Sequence, residues 1–346
     1  MSPRPRSSDR VLVTGGGGFL GRAIVERLIA RGDEVRSFSR GDYSELRESG
    51  VDVVRGDLSD AEAVGSVCDG MDVVFHVAAK AGIWGPYEDY HQANVVGTEN
   101  ILAACRACGV GRLVYTSSPS VVFHGRDMEG TDESAPYSET YHTHYPKTKA
   151  IAERAVLAAN SQRLATVALR PHLIWGPRDN HLVPRILQRA RSLRRIGAEE
   201  HKVDSVYIDN AADAHLLACD RLSPQSSIAG KAYFITNGEP RNLWDLVNGI
   251  LAAADLPPVT RRVPKRVALC AATLIEAAYN LFRVRSEPRL TRFLVHELST
   301  SHWFDISAAR RDFGYKPGVS IDEGLQRLRA WLQSGSSPAI TDSKKG

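Results

Sequence analysis

Tyr145 and Lys149 stand four residues apart in "YHTHYPKTKA", residues 141–150. On a helix that spacing puts both on one face. A free phenol titrates near ~10 and seldom ionises at neutral pH. An ammonium one turn away favours the phenolate, so Lys149 is expected to lower the Tyr145 value. The pair can then give a proton to, or take one from, a carbonyl oxygen. Pro146 suits the first turn of a helix, where a missing N–H costs little. His142 and His144 read as loop or first-turn residues. Alone, Y-x-x-x-K is common on exposed helices, so its surroundings decide its meaning.

A second stretch, "VLVTGGGGFLG" (residues 11–21), lies where a strand turns into a helix. Gly15, Gly18 and Gly21 are spaced three apart, and Gly16, Gly18 and Gly21 also satisfy G-x-G-x-x-G. Glycines allow a tight turn and close approach to a pyrophosphate. Phe19 and Leu20 open the helix, whose free N–H groups and positive dipole end would face phosphates. The next strand ends "SFSRGD". Ser39 and Arg40 there offer a hydroxyl and a planar guanidinium, which suit a ribose 2′-phosphate. NADPH is therefore expected in preference to NADH, with Asp42 just beyond as an opposing charge. A third stretch, "YTSSPS", places the hydroxyls of Ser117, Ser118 and Ser120 at the end of a strand. Ligands of parallel sheets sit beyond such carboxyl ends.

These residues need a scaffold, and the chain supplies one. "RVLVT", "DEVRSFSR", "VDVVRGD", "MDVVFHVAA", "GRLVYTSS" and "LATVALR" read as six strands alternating with helices, one of them spanning 88–108. That predicts an α/β fold, a Rossmann-type doubly wound parallel sheet. Residues 10–175 form the expected NADP-binding domain, which also receives strands from about 203–237. Residues 176–332 form a smaller, mostly helical C-terminal substrate lobe. Residues 1–9 and 333–346 read as a disordered arm and tail.

Composition sets limits. The 346 residues are 43% apolar and 24% charged, and the net charge is only +4. Three of those four charges fall on the two ends, in residues 1–10 and 334–346, so no nucleic-acid surface is implied. Five scattered cysteines point to reduced thiols in the cytoplasm, and Cys105 and Cys108 lack the second pair a zinc site needs. "VALCAATLIEAAYNLF", 267–282, contains Glu276 and Asn280 and is too short for a transmembrane span. It reads as a lobe helix, with peripheral membrane contact as the alternative.

In order along the chain come "TGGGGFLG", "RGDLSD", "VFHVAA", "NVVGTEN", "VYTSSPSVVF", "YPKTK" and "LRPHLIWGP". Together they resemble the extended short-chain dehydrogenase/reductases, nearest their 3β-hydroxysteroid dehydrogenase branch, over residues 10–330. Within it, "AKAGIWGPYEDYHQANVVGT" and "HELSTSHWFDISAARRDFGY" resemble the bacterial reductases of 2-alkyl-3-oxoalkanoates in long-chain olefin synthesis. The resemblance implies a catalytic Ser118, Tyr145 and Lys149, with Ser117 and Ser120 close to the chosen serine. It implies that Lys149 also holds the nicotinamide ribose and that Asp57 with Leu58 meets the adenine. Ala78 and Ala79 would admit the cofactor, Pro171 and His172 would border the nicotinamide, and Asn94 would support the site.

The implied reaction is reduction of a long-chain, lipid-like 3-oxo acid. The implied partners are condensing, ligase-like and hydrolase-like enzymes of the same pathway, and a second copy in a homodimer. The alternatives are a sterol or 3β-hydroxysteroid dehydrogenase using NAD, more distantly a UDP-sugar epimerase, and a dinucleotide-binding regulator without turnover. Ile83, Trp84, Tyr87, Phe293, Leu294, Trp303 and Phe304 are expected to line an apolar substrate site. Among Arg185, Arg189, Arg191, Arg194 and Arg195, one could anchor a carboxylate.

Overall fold

The computed structural model describes residues 8–197 and 200–335. The disordered arm and tail expected from the sequence fall largely outside them. Seven parallel strands form the main sheet: β1 Arg10–Thr14, β2 Glu34–Ser39, β3 Asp52–Arg55, β4 Val73–His76, β5 Arg112–Thr116, β6 Ala165–Pro171 and β7 Lys231–Ile235. Their order across the sheet is β7-β6-β5-β4-β1-β2-β3. The order reverses between β1 and β4, which opens a crevice at the carboxyl ends of these strands.

Helices cover both faces, and the strands are apolar on both for that reason. In β1, Val11 and Val13 join one core layer and Leu12 joins the other; all three are fully buried. Five helices matter for the site: α1 Phe19–Ala30, α2 Gly97–Cys108, α3 His144–Ala158, α4 Ile208–Arg221 and α5 Lys265–Leu281. Arg27 of α1 ties it to α4 through Asp209 and Asp213, at 2.9 and 2.5 Å. Arg170 of β6 meets Glu153 of α3 at 2.6 Å, and both side chains are almost wholly buried. Tyr137 donates its hydroxyl to the same carboxylate at 2.6 Å.

The C-terminal region is largely helical, with three small sheets added among the described residues, two of them of two strands each. A four-stranded sheet joins Arg241–Asn242, Lys202–Val203, His302–Phe304 and Met128–Thr131. Strands of two to four residues carry too little alternation to be read from sequence. The helix expected over 88–108 is also interrupted. His91–Val96 form a π-helical turn between Tyr87–Tyr90 and α2. Among the described residues no helix is long and apolar enough to cross a membrane. The α5 helix packs Ala268 and Ala272 inward and exposes Val267, Leu274 and Leu281, with Phe282 just beyond it.

Candidate active site

The glycine turn follows β1 closely. Gly15 has a φ of +71°, a region open mainly to glycine, and a Cβ there would lie 3.0 Å from Ala78 Cα. A Cβ on Gly21 would lie 2.1 Å from the Gly15 carbonyl oxygen. Gly18 caps α1 without a side chain, so the first-turn N–H groups have no side-chain acceptor at the cap. The turn is thus a cradle that side chains would fill, and it fits the phosphates of a dinucleotide.

Buried polar residues fix the neighbouring strand end. The Thr14 hydroxyl accepts from the Val77 and Ala78 N–H groups, at 3.1 and 3.2 Å. Its own proton goes to His76 Nδ1 at 2.8 Å. His76 Nε2 donates to Thr98, which donates in turn to the Asn94 carbonyl at 2.6 Å. Burial lowers the His76 pKa to about 3, so the ring is neutral and can bridge in this way. Asn94 sits in the π-turn. Its side chain accepts from Lys80 N at 2.7 Å and donates to Lys80 O and to Thr148 on α3. It therefore fastens the loop after β4 to the helix carrying Tyr145. His76 was not singled out in the sequence, although it stands inside "VFHVAA".

Tyr145 and Lys149 share the inner face of α3, as their spacing predicts, but their electrostatics differ from expectation. Lys149 donates from Nζ to the Thr116 carbonyl at 2.5 Å and lies 4.1 Å from the centre of the Tyr115 ring. Burial lowers its pKa to about 7, against the attraction of Glu153. Burial also raises Tyr145 to about 12; a hydrogen bond from Ser118 opposes this and the charge of Glu297 adds to it. Loss of water outweighs the Ser118 hydrogen bond, so the phenol stays protonated. Ser118 is also 2.9 Å from Ser120 Oγ, and Ser117 Oγ is buried without a partner. Of the three serines, Ser118 is the one that meets the phenol.

A single cleft of about 750 Å³ runs from the glycine turn past these residues into the lobe. Gly15, Gly18, Phe19, Leu20 and Gly21 line one end, with Ser39, Arg40, Asp57 and Leu58 beside them. Ala78, Ala79, Ser118, Tyr145, Lys149 and Pro171 line the middle. His172 lies just outside, donating to His302 Nδ1 at 2.7 Å. Of the expected substrate lining, Ile83 and Leu294 face the cleft. The others pack elsewhere: Phe293 against Phe123, Phe304 on Phe234, Trp84 against Tyr279, Tyr87 near His144 and Trp303 over Gly130. Ile186, Leu193, Leu243, Trp244 and Val247 take their place. Arg185 and Arg189 also reach the cleft, and Arg185 pairs with Glu287 at 2.8 Å. Arg189 has no carboxylate partner among the described residues; it donates to the Arg289 carbonyl. His142 stacks on His296 outside the cleft. Among the described residues no group of acids, histidines and cysteines could hold a metal.

A doubly wound sheet with a glycine cradle at its switch point, and a half-buried tyrosine and a buried lysine beside it, defines a dinucleotide-dependent oxidoreductase. The chain belongs to the 3-beta hydroxysteroid dehydrogenase/isomerase family, whose model matches residues 12–264. It is 54% identical over 326 residues to 2-alkyl-3-oxoalkanoate reductase of Stenotrophomonas maltophilia, covering 93% of this chain and 98% of the relative. Identity to the 2-alkyl-3-oxoalkanoate reductase of Shewanella oneidensis is 51% over 334 residues, covering 94% and 86%. Among solved structures, the Thermus thermophilus UDP-glucose 4-epimerase complex with NAD is 26% identical with a TM-score of 0.69, over 94% of this chain and 99% of that one.

The expected preference for NADPH is corrected by these structures. Five structures similar in fold to this chain hold NAD. The local charges supply a reason. Hydrogen bonds from Ser59, with the Arg40 guanidinium nearby, hold the Asp57 carboxyl below its usual range against the effect of burial. That carboxylate opposes a phosphate beside Arg40. Ser39 turns its hydroxyl to the Gly41 carbonyl, and Tyr43 packs against both Gly17 and Gly41.

Proposed function

We propose that the protein reduces the 3-oxo group of a long-chain 2-alkyl-3-oxoalkanoate with NADH, giving the 2-alkyl-3-hydroxy acid. The reading rests on the shared cleft. Ser118, Tyr145 and Lys149 stand between a dinucleotide cradle and an apolar chamber of Ile186, Leu193, Leu243, Trp244, Val247 and Leu294. Such a chamber suits a hydrocarbon chain better than a sugar. Arg189 offers a guanidinium for the carboxylate. The identity to two reductases of this name, over most of their lengths, supports the same substrate class.

The cradle of Gly15, Gly18 and Gly21 would hold NADH, which would supply the hydride for the carbonyl carbon. Ser118 donates a hydrogen bond to the carbonyl oxygen and steadies the charge that grows there. Tyr145, kept protonated by burial, gives its proton to that oxygen. Its raised value keeps the proton on the phenol until the carbonyl oxygen takes it. Lys149 braces β5 against α3 through the Thr116 carbonyl and would hold the nicotinamide ribose. Asp57 and Leu58 would border the adenine, and Pro171 the nicotinamide. Residues 10–175 with β7 serve as the dinucleotide half of the molecule, and 176–332 chiefly as the substrate half.

A 3-oxo acid loses CO₂ readily, so supply by an adjacent condensing enzyme and prompt removal of the hydroxy acid fit this chemistry. Freshly prepared 2-alkyl-3-oxo acid should oxidise NADH in the presence of the protein, read at the nicotinamide absorbance. Oxidation of a sterol carboxylate with NAD⁺, with no turnover of the 3-oxo acid, would instead establish the steroid reading.

A further inference from the structure

We propose that the same site also exchanges the proton on C2 of its substrate, with Glu297 as the base. The inference rests on the 3-oxo acid reading and adds a second activity to it. Glu297 ends the short helix Arg292–Glu297 and lines the cleft that contains Ser118, Tyr145 and Lys149. Its carboxyl makes no hydrogen bond among the described residues, yet its charge reaches the Tyr145 phenol. The residue is half-buried, and an acid so withdrawn from water ordinarily acquires a partner. Reduction at C3 gives this one no task, since Tyr145 supplies the proton and Ser118 the hydrogen bond.

The backbone beneath the carboxyl is fixed from both sides. The Thr291 hydroxyl caps the start of the helix by accepting from Leu294 N at 3.2 Å. At its end, the Glu297 carbonyl accepts from His302 Nε2 at 3.0 Å. His302 Nδ1 accepts in turn from His172, one residue beyond β6. The backbone that bears the carboxyl is thereby tied to the strand end that borders the cleft.

The substrate offers it a proton. C2 of a 2-alkyl-3-oxo acid carries one hydrogen and adjoins the ketone. The donors that polarise the ketone oxygen for reduction also stabilise an enolate. Glu297 as carboxylate takes the C2 proton, and the C–H electron pair becomes the C2–C3 double bond. The carbonyl π pair moves to oxygen, where Ser118 and Tyr145 hydrogen-bond it. Reversal returns a proton to C2 from the carboxylic acid, which has meanwhile exchanged with water. Nothing is oxidised or reduced. Burial holds the Glu297 pKa at about 7, so both forms required are present at neutral pH.

The test uses the whole protein with NAD⁺, which cannot reduce a ketone, and a 2-alkyl-3-oxoalkanoate methyl ester in D₂O. The ester keeps its C2 proton and does not lose CO₂. Proton NMR should show the C2–H signal decaying faster than in buffer. Glu297→Gln should slow the enzymatic part about a hundredfold, and Glu297→Asp should restore some of it. Fluorescence titration with NAD⁺ checks that each variant is folded. If Glu297→Gln does not bind, Glu297→Asp decides, by slowing exchange beyond any loss of NAD⁺ affinity. No exchange above buffer by the unaltered protein, or exchange by a folded variant at the unaltered rate, overturns the proposal. NADH consumption with the same ester separates the two readings. Reduction of the ester without exchange removes the role of Glu297 alone; no exchange, with neither the ester nor the free 3-oxo acid reduced, removes the substrate class with it.

Discussion

Lys149 donates from its ammonium to the main-chain oxygen of Thr116 over 2.5 Å, and so joins the end of β5 to α3. The phenol one turn earlier remains protonated. Removing that phenol should therefore remove the proton donor and little else. Tyr145→Phe is expected to lower kcat for 3-oxo acid reduction about 10²- to 10⁴-fold. Its NADH affinity, by fluorescence titration, should stay of the same order.

Arg40 shares its surroundings with the ionised Asp57. Calorimetric titration should give a lower dissociation constant for NADH than for NADPH. Tighter NADPH binding would restore the 2′-phosphate role of the arginine.

Gly21 meets the Gly15 carbonyl where a Cβ would stand, at 2.1 Å. Backbone cannot yield there as a flexible side chain would. Gly21→Ala should raise the NADH dissociation constant by about tenfold or more, roughly 1.4 kcal/mol.

Arg170 and Glu153 are paired with side chains 4% and 0% exposed. Arg170→Met leaves the carboxylate buried with Tyr137 as its one hydrogen-bond donor among the described residues. Urea unfolding should show a loss of about 3–5 kcal/mol. Adding Glu153→Gln should recover part of it.

Glu297 titrates in the fold near 7 rather than 4.5, because burial disfavours its charge. Below 4.5 the carboxyl is protonated in folded and unfolded chains alike. As pH rises toward 7 the unfolded chain loses that proton first, and stability falls. The midpoint of thermal unfolding should therefore drop between pH 4.5 and 7 relative to Glu297→Gln. Tyr145 and His302, which adjoin Glu297, titrate near 12 and 4, outside this window.

The sheet, the glycine cradle and the Tyr145–Lys149 face were legible because each is a local pattern: a strand run, a turn, a single helical spacing. The direction of the Lys149 ammonium was not, since spacing gives the face of a helix and not the acceptor its side chain finds. The substrate chamber was legible only at Ile83 and Leu294. Its other walls come from Ile186, Leu193, Leu243, Trp244 and Val247, scattered in sequence and each an ordinary apolar residue. The aromatics chosen in their stead, Phe293 and Phe304 among them, are buried in the lobe because large rings gain most from leaving water. Glu297 gave no sign in the sequence, because an acid is unusual only once its lack of a partner is seen.

The π-turn at His91–Val96 adds one residue to a helical path. Residues before and after it are offset by about 100°, one α-helical step. Asn94 can thus address Lys80 and Thr148 while Thr98, four positions on, addresses His76. A deletion of any single residue in this turn would bring the segment back into α-helical phase. It would then swing one of the two fasteners out of place, so chain length here is constrained as tightly as residue identity.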